Sequence, residues 1–133
     1  MKTIQKAFII DDDAIYQFTL KKEIEATTMV SSLQCFTNGE TAINYLKTIN
    51  DNIKEVPDLI FLDINMPIMD GWEFLDCLIS FKSKLTKNIT VFVLSSSDDM
   101  KDIEKSKKYT EVKEYIVKPI MRDKLKVVLQ KYF

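Results

Sequence analysis

The sequence predicts an α/β fold, a doubly wound five-stranded parallel sheet flanked by five helices. Two observations carry that reading. Five short, continuous apolar runs of strand length are spaced along the chain, and between them lie stretches whose apolar residues recur every three or four positions. Unbroken apolar runs fit strands buried on both faces. Strand–helix alternation without internal repeats implies a parallel sheet with right-handed crossovers.

The elements follow in order. Ala7–Ile10 is the first strand, and Asp13 then caps a helix with the stripe Tyr16, Leu20 and Ile24. Leu33–Phe36 is the second strand. Asn38 precedes a helix carrying Ala42, Ile43, Leu46 and Ile49 on one face. The polar stretch Asn50–Glu55 before Pro57 is a surface loop. Leu59–Leu62 is the third strand, and Asp70 caps a helix with Phe74, Leu75, Leu78 and Ile79. Ile89–Leu94 is the fourth strand. The helix expected over Asp98–Tyr109 is weakly amphipathic, with Met100, Ile103 and Tyr109 set among lysines, so it is expected to be the most mobile of the five. Tyr115–Val117 is the last strand, and Leu125, Val128, Leu129 and Tyr132 stripe the last helix.

Composition narrows the function. The 133 residues suit one domain, and 46% apolar with 29% charged residues describes a globular chain. No apolar run nears the roughly 20 residues a bilayer span needs, so no membrane role and a cytoplasmic location are expected. A net charge of −1 argues against direct nucleic-acid binding. Residues 98–133 hold ten Lys/Arg against seven Asp/Glu, a mild excess expected to be a solvated face. Histidine is absent, which excludes imidazole catalysis and any phosphohistidine carried by this chain itself. Cys35 and Cys77 have no CxxC partner and are expected to be small buried hydrophobes.

The chemistry sits where the strands stop. Ligands of an open parallel sheet bind outside the carboxyl ends of its strands. Here the first strand runs into Asp11-Asp12-Asp13, the third into Asp63, the fourth into Ser95 and the fifth into Lys118-Pro119. Two strands thus deliver carboxylates to one edge, where their mutual repulsion calls for a cation. Oxygen donors without sulfur or imidazole favour Mg2+ over zinc. Ser95 alone is consistent with a turn, and Lys118 alone with a solvated charge. Together they offer a hydroxyl and an ammonium to a phosphoryl group. Asp63, expected to be ionised near pH 7, then serves as a phosphoryl acceptor.

The segments Phe8-Ile9-Ile10-Asp11-Asp12, Leu62-Asp63-Ile64-Asn65-Met66-Pro67-Ile68-Met69-Asp70-Gly71, Leu94-Ser95 and Tyr115-Ile116-Val117-Lys118-Pro119 resemble the receiver domain of two-component response regulators, in particular single-domain chemotaxis-type regulators. The resemblance covers almost the whole chain and implies a flavodoxin-like sheet of order 2-1-3-4-5. It implies that Asp63 takes its phosphoryl group from a phosphohistidine of a sensor histidine kinase or phosphotransfer protein. Asp12 would then bind Mg2+ directly, Asp11 through water, and Asn65 through its backbone carbonyl, with Asp63 completing the set. Ser95 would turn toward the phosphoryl group, with Tyr115 changing rotamer behind it, and Lys118, in a cis peptide with Pro119, would pair with phosphate. Residues 1–133 would be one receiver domain without an output domain. It would act as a switch that sheds its own phosphoryl group, not as an enzyme with a separate substrate. Its face of helix 4, strand 5 and helix 5 would meet an unknown downstream protein, and a phosphorylation-dependent dimer is among the partners the resemblance allows.

Two departures stand out. Serine occupies position 95 where many relatives carry threonine, which keeps the hydroxyl. Thr110-Glu111-Val112-Lys113-Glu114 replaces a Gly-Ala pair common in relatives, so the local path before the last strand is open to change. A haloacid-dehalogenase-type phosphatase would want Asp-x-Asp, whereas this chain has Asp63-Ile64-Asn65. An adaptor that is never phosphorylated would have no need of the acidic pair, Ser95 and Lys118.

Overall fold

A computed structural model describes residues 3–133. Five strands and five helices alternate as β1 (Ile4–Ile10), α1 (Ala14–Thr27), β2 (Val30–Phe36), α2 (Gly39–Ile49), β3 (Leu59–Asp63), α3 (Gly71–Ser80), β4 (Thr90–Ser95), α4 (Met100–Ser106), β5 (Val112–Val117) and α5 (Arg122–Tyr132). The strands form one parallel sheet in the order β2-β1-β3-β4-β5. Among the described residues, no helix is long and apolar enough to cross a membrane.

The pleat sorts the sheet's side chains into two cores. Phe8, Ile10, Ile60, Leu62, Val91 and Val93 pack with Ala42, Leu46, Phe74 and Leu75 of α2 and α3. Ala7, Ile9, Leu59, Phe61, Phe92 and Leu94 pack with Leu20, Ile24, Leu125 and Leu129 of α1 and α5. Each fully buried Leu, Ile or Phe contributes about 1.5–3 kcal/mol of transfer free energy, so the central strands are held from both sides. Asp11 and Asp63 continue the alternation of Ala7, Ile9 and Leu59, Phe61. Both therefore leave the sheet on the α1–α5 side.

The helix caps match expectation. Asp13 Oδ1 accepts the Ile15 and Tyr16 N–H groups, and Asn38 Oδ1 accepts that of Thr41 at 2.8 Å. Asp70 and Glu73 form a capping box at α3.

Several boundaries differ from those expected. Strands β1, β2 and β5 begin earlier, because they extend through polar residues with exposed side chains, such as Gln5, Ser31, Ser32 and Lys113. Ile89 is buried but precedes β4, and Ile79 is 40% exposed. A short 3₁₀ turn at Lys82–Lys84 was not foreseen. Helix α4 is shorter than Asp98–Tyr109: Asp99 caps its start, and successive i to i−3 bonds through Lys107, Lys108 and Tyr109 tighten its end. The cysteine expectation also fails. Cys35 is exposed and Cys77 half-buried, because β2 is an edge strand and Cys77 lies on the flank of α3. In the unusual segment Thr110–Glu114, which runs into the start of β5, the register with β4 shifts between Val91 and Phe92, which leaves Lys113 bulged out of the ladder.

Candidate functional site

Strand pairing alone brings the first two carboxylates together. In the β1–β3 ladder Ile10 lies opposite Leu62, so the next residues, Asp11 and Asp63, lie side by side. One oxygen each from Asp11, Asp12 and Asp63 lies within 4.8 Å of the others. Asp11 and Asp63 are buried, at 1% and 5% exposure, whereas Asp12 faces solvent.

Local bonds fix this edge. The Asp11 N–H donates to Phe36 O at 3.0 Å, and Asp11 Oδ1 accepts the Asp13 N–H at 2.9 Å. Gln17 Nε2 donates to the carbonyls of both Asp11 and Phe36 at 2.7 Å, tying the ends of β1 and β2. Asp63 Oδ1 accepts the Asn65 N–H at 3.2 Å. The loop then returns close to its origin, with the Gly71 N–H bonded to Ile64 O at 3.1 Å. A Cβ at Gly71 would lie 2.6 Å from Ile64 Cα and 2.8 Å from Asp63 O, so only glycine lets α3 start this near the acidic edge. In the same loop Ile68 takes a φ of 69°, a strained conformation for a β-branched residue.

Lys118 arrives from the end of β5, two strands away from β3. Its N–H donates to Ser95 O at 2.8 Å, and its peptide bond to Pro119 is cis. Lys118 Nζ lies 2.8 Å from Asp11 Oδ2 and 3.7 Å from Asp63 Oδ1. It also sits over the Tyr16 ring, 4.4 Å from the centroid. Ser95 is fully buried, and its Oγ accepts the Ser97 N–H at 3.0 Å. The Tyr115 hydroxyl donates to Ser97 O at 2.7 Å. The two residues expected to act as a switch are thus bonded to opposite sides of one residue, Ser97.

The electrostatics are those of crowded carboxylates. Burial, followed by the charge of Asp11, pushes the Asp63 carboxyl up from 3.8 to about 7, against the opposing pull of Lys118 and the Asn65 N–H. Its burial and the neighbouring Asp11 thus make Asp63 a weaker acid than an ordinary carboxyl. Burial would lower the Lys118 ammonium, but the Asp11 hydrogen bond and the charges of Asp63 and Asp11 outweigh it and raise the pKa. One ammonium faces three carboxylates, so negative charge remains in excess at a site of oxygen donors. That donor set fits a hard divalent cation.

Every expected site residue lies at this edge or adjoins it. Sequence reasoning missed three more. Tyr16 read as the first apolar position of a helix stripe, Gln17 carried no signal, and Ser97 read as turn material. A hollow of about 330 Å3 lies at the opposite, amino-terminal end of the strands, against Leu78, Leu85, Ile89 and Glu111, away from the acidic edge.

Comparison with known proteins agrees with this architecture. The response regulator receiver domain family matches residues 7–130. A two component response regulator from Cytophaga hutchinsonii superposes with a TM-score of 0.88 at 32% identity, covering 98% of this chain and 97% of that one. CheY4, a chemotaxis protein of Vibrio cholerae, shares the fold at a TM-score of 0.75 and 20% identity, with 98% and 99% coverage. The probable C4-dicarboxylate response regulator DctR of Bacillus subtilis is 31% identical over 127 residues, which is 96% of this chain and 51% of that protein. The chain thus spans about half of DctR's length. By sequence, by fold and by the order of its strand-end residues, this chain belongs to the response regulator receiver domain family.

Proposed function

We propose that Asp63 accepts a phosphoryl group from a phosphohistidine on a sensor histidine kinase or phosphotransfer protein, and that the acyl phosphate switches the α4–β5–α5 face. The observation that carries the reading is the meeting of buried Asp11 and Asp63 with Lys118 at the ends of β1, β3 and β5. A carboxylate oxygen of Asp63 forms the new bond to phosphorus. The P–N bond to the donor imidazole breaks, and the nitrogen keeps its electron pair. Nothing needs to abstract a proton, so positioning and charge neutralisation do most of the catalysis.

Asp11, Asp12, Asp63 and the Asn65 carbonyl would hold Mg2+, which when bound neutralises charge on the carboxylates and the incoming phosphate. Lys118 pairs with a phosphoryl oxygen. Ser95 Oγ, now bonded to the Ser97 N–H, donates to another after that bond opens. Because Ser97 O also holds the Tyr115 hydroxyl, a shift at Ser95 is transmitted to Tyr115. The phosphoryl group has more charge and more acceptors than the carboxylate it replaces, which supplies the differential binding that a switch requires. The same edge, open to water at Asp12, lets the acyl phosphate hydrolyse.

Met100 on α4, Val117 on β5 and Val127 on α5 are exposed at 64%, 41% and 65%, an apolar set suited to a downstream protein. Such a switch belongs in the cytoplasm beside its kinase. The test is incubation with acetyl phosphate and Mg2+ followed by intact-mass analysis. One phosphoryl group is expected on the wild type and none on Asp63→Asn. Equal labelling of that variant, or no labelling of the wild type, contradicts the reading.

A further inference from the structure

We propose that Tyr16 is a positioning residue for phosphoryl uptake: its ring face keeps the Lys118 ammonium at the acidic edge while Asp11 and Asp63 are engaged in the chemistry. This rests on the reading of Asp63 as acceptor.

Lys118 Nζ has three close neighbours, namely Asp11 Oδ2 at 2.8 Å, Asp63 Oδ1 at 3.7 Å and the Tyr16 ring with its centroid at 4.4 Å. The first two are not constant. Asp11 belongs to the oxygen set that fits a cation, and Asp63 gives an oxygen to phosphorus. The aromatic face is the neighbour that neither event consumes. An ammonium within about 6 Å of a ring centroid is attracted by the ring quadrupole, more strongly when desolvated, and the Lys118 side chain is only 16% exposed.

The ring is itself well placed. Tyr16 is on the first turn of α1, and its N–H is bound by the Asp13 cap at 3.1 Å. The segment that delivers Asp11 and Asp12 therefore also sets the ring's position, and the ring packs against the α1–α5 core. The Tyr16 hydroxyl is buried beside the Ile120 backbone and makes no hydrogen bond to the acidic edge. The aromatic face, not the phenol, is the functional part.

With acetyl phosphate as donor, an Asp63 oxygen bonds to phosphorus, the P–O bond to acetate breaks, and acetate leaves with the electron pair. Lys118 remains protonated and meets a phosphoryl oxygen. The wild type, Tyr16→Phe and Tyr16→Leu, each alone and combined with Lys118→Ala, are to be labelled with acetyl phosphate and Mg2+ while rates are followed by intact mass. Tyr16→Phe should match the wild type. Tyr16→Leu should slow labelling at saturating donor by about three- to tenfold. On the Lys118→Ala background it should cause no further loss, since its effect runs through the ammonium.

A second readout needs neither donor nor metal: the Lys118 Cε protons should be shifted upfield by the ring current in wild type and Tyr16→Phe, and not in Tyr16→Leu. Should Tyr16→Leu melt early, Tyr16→Met supplies the ring-free comparison. An unslowed ring-free variant, an undiminished effect without Lys118, or Tyr16→Phe as slow as Tyr16→Leu overturns the inference and leaves the acceptor reading intact. A wild type that takes no label at Asp63 overturns the reading beneath it.

Discussion

Helices α3 and α4 lie on the same face of the sheet, yet they are held in opposite ways. Helix α3 starts in a capping box, buries Gly71, Phe74, Leu75 and Leu78, and begins within van der Waals reach of the Asp63 backbone. Helix α4 buries only Ser106. What ties it down is a contact just past its end: Tyr109 stacks on Trp72 with centroids 5.8 Å apart and donates its hydroxyl to Asp76 at 2.9 Å, while Lys105 Nζ lies 4.9 Å over the Trp72 ring. The strands that supply carboxylates are thus followed by firmly packed helices, and the strand that supplies Ser95 by a lightly anchored one. The switch proposed above would need both, a rigid acceptor and a reading element with a second position within about a few kcal/mol.

The largest effect that tests this contrast comes from truncation. Phe74→Ala should cost about 3–5 kcal/mol of unfolding free energy, and Ile103→Ala in α4 less than about 1 kcal/mol, both read from denaturant melts. Comparable losses would erase the distinction between the two helices.

Next is the pH dependence of the rigid half. Asp63 titrates at about 7 in the folded chain against 3.8 as an ordinary carboxyl, so between those values the native state holds a proton that the unfolded chain has lost. Where the native state binds more protons, stability falls as pH rises. Without divalent cations, melts should therefore weaken from pH 4 toward pH 7 and level off above it, and Asp63→Asn should flatten that part of the profile. A cation favours the carboxylate, so Mg2+ should weaken that decline and should bind less tightly below pH 7. A slope that Asp63→Asn leaves unchanged would assign it to other groups.

The smallest effect sharpens the loose half. Tyr109→Phe keeps the stack on Trp72 and loses the bond to Asp76, which should cost about 0.5–1.5 kcal/mol. It should also raise amide exchange in α4 while leaving α3 unchanged. The acyl phosphate should likewise change exchange in α4 before α3, with Trp72 emission as an optical report. Unaltered α4 exchange on phosphorylation would detach the helix from the signal.

Much of this was legible in the chain itself because the relevant signals are local. Five apolar runs, three side-chain caps and the chemically distinct residues at four of the five strand ends survive translation into structure, since strand burial and capping depend on a few neighbouring residues. Boundaries were less legible where a strand has one wet face, as in β5, or where a helix is too weakly amphipathic to mark its own ends, as in α4. Cys35 was misplaced because edge and centre strands look alike until their neighbours are known.

The sequence by itself determined the fold class and the carboxylates and the lysine at the strand ends. Only the tertiary structure decided which of those groups share charge. Asp11 and Lys118, 107 positions apart, become a 2.8 Å ion pair through a sheet order that no local pattern encodes. The raised pKa of Asp63 and the aromatic seat under Lys118 arise the same way, because desolvation and Coulomb energy depend on distances that exist only once the strands are side by side.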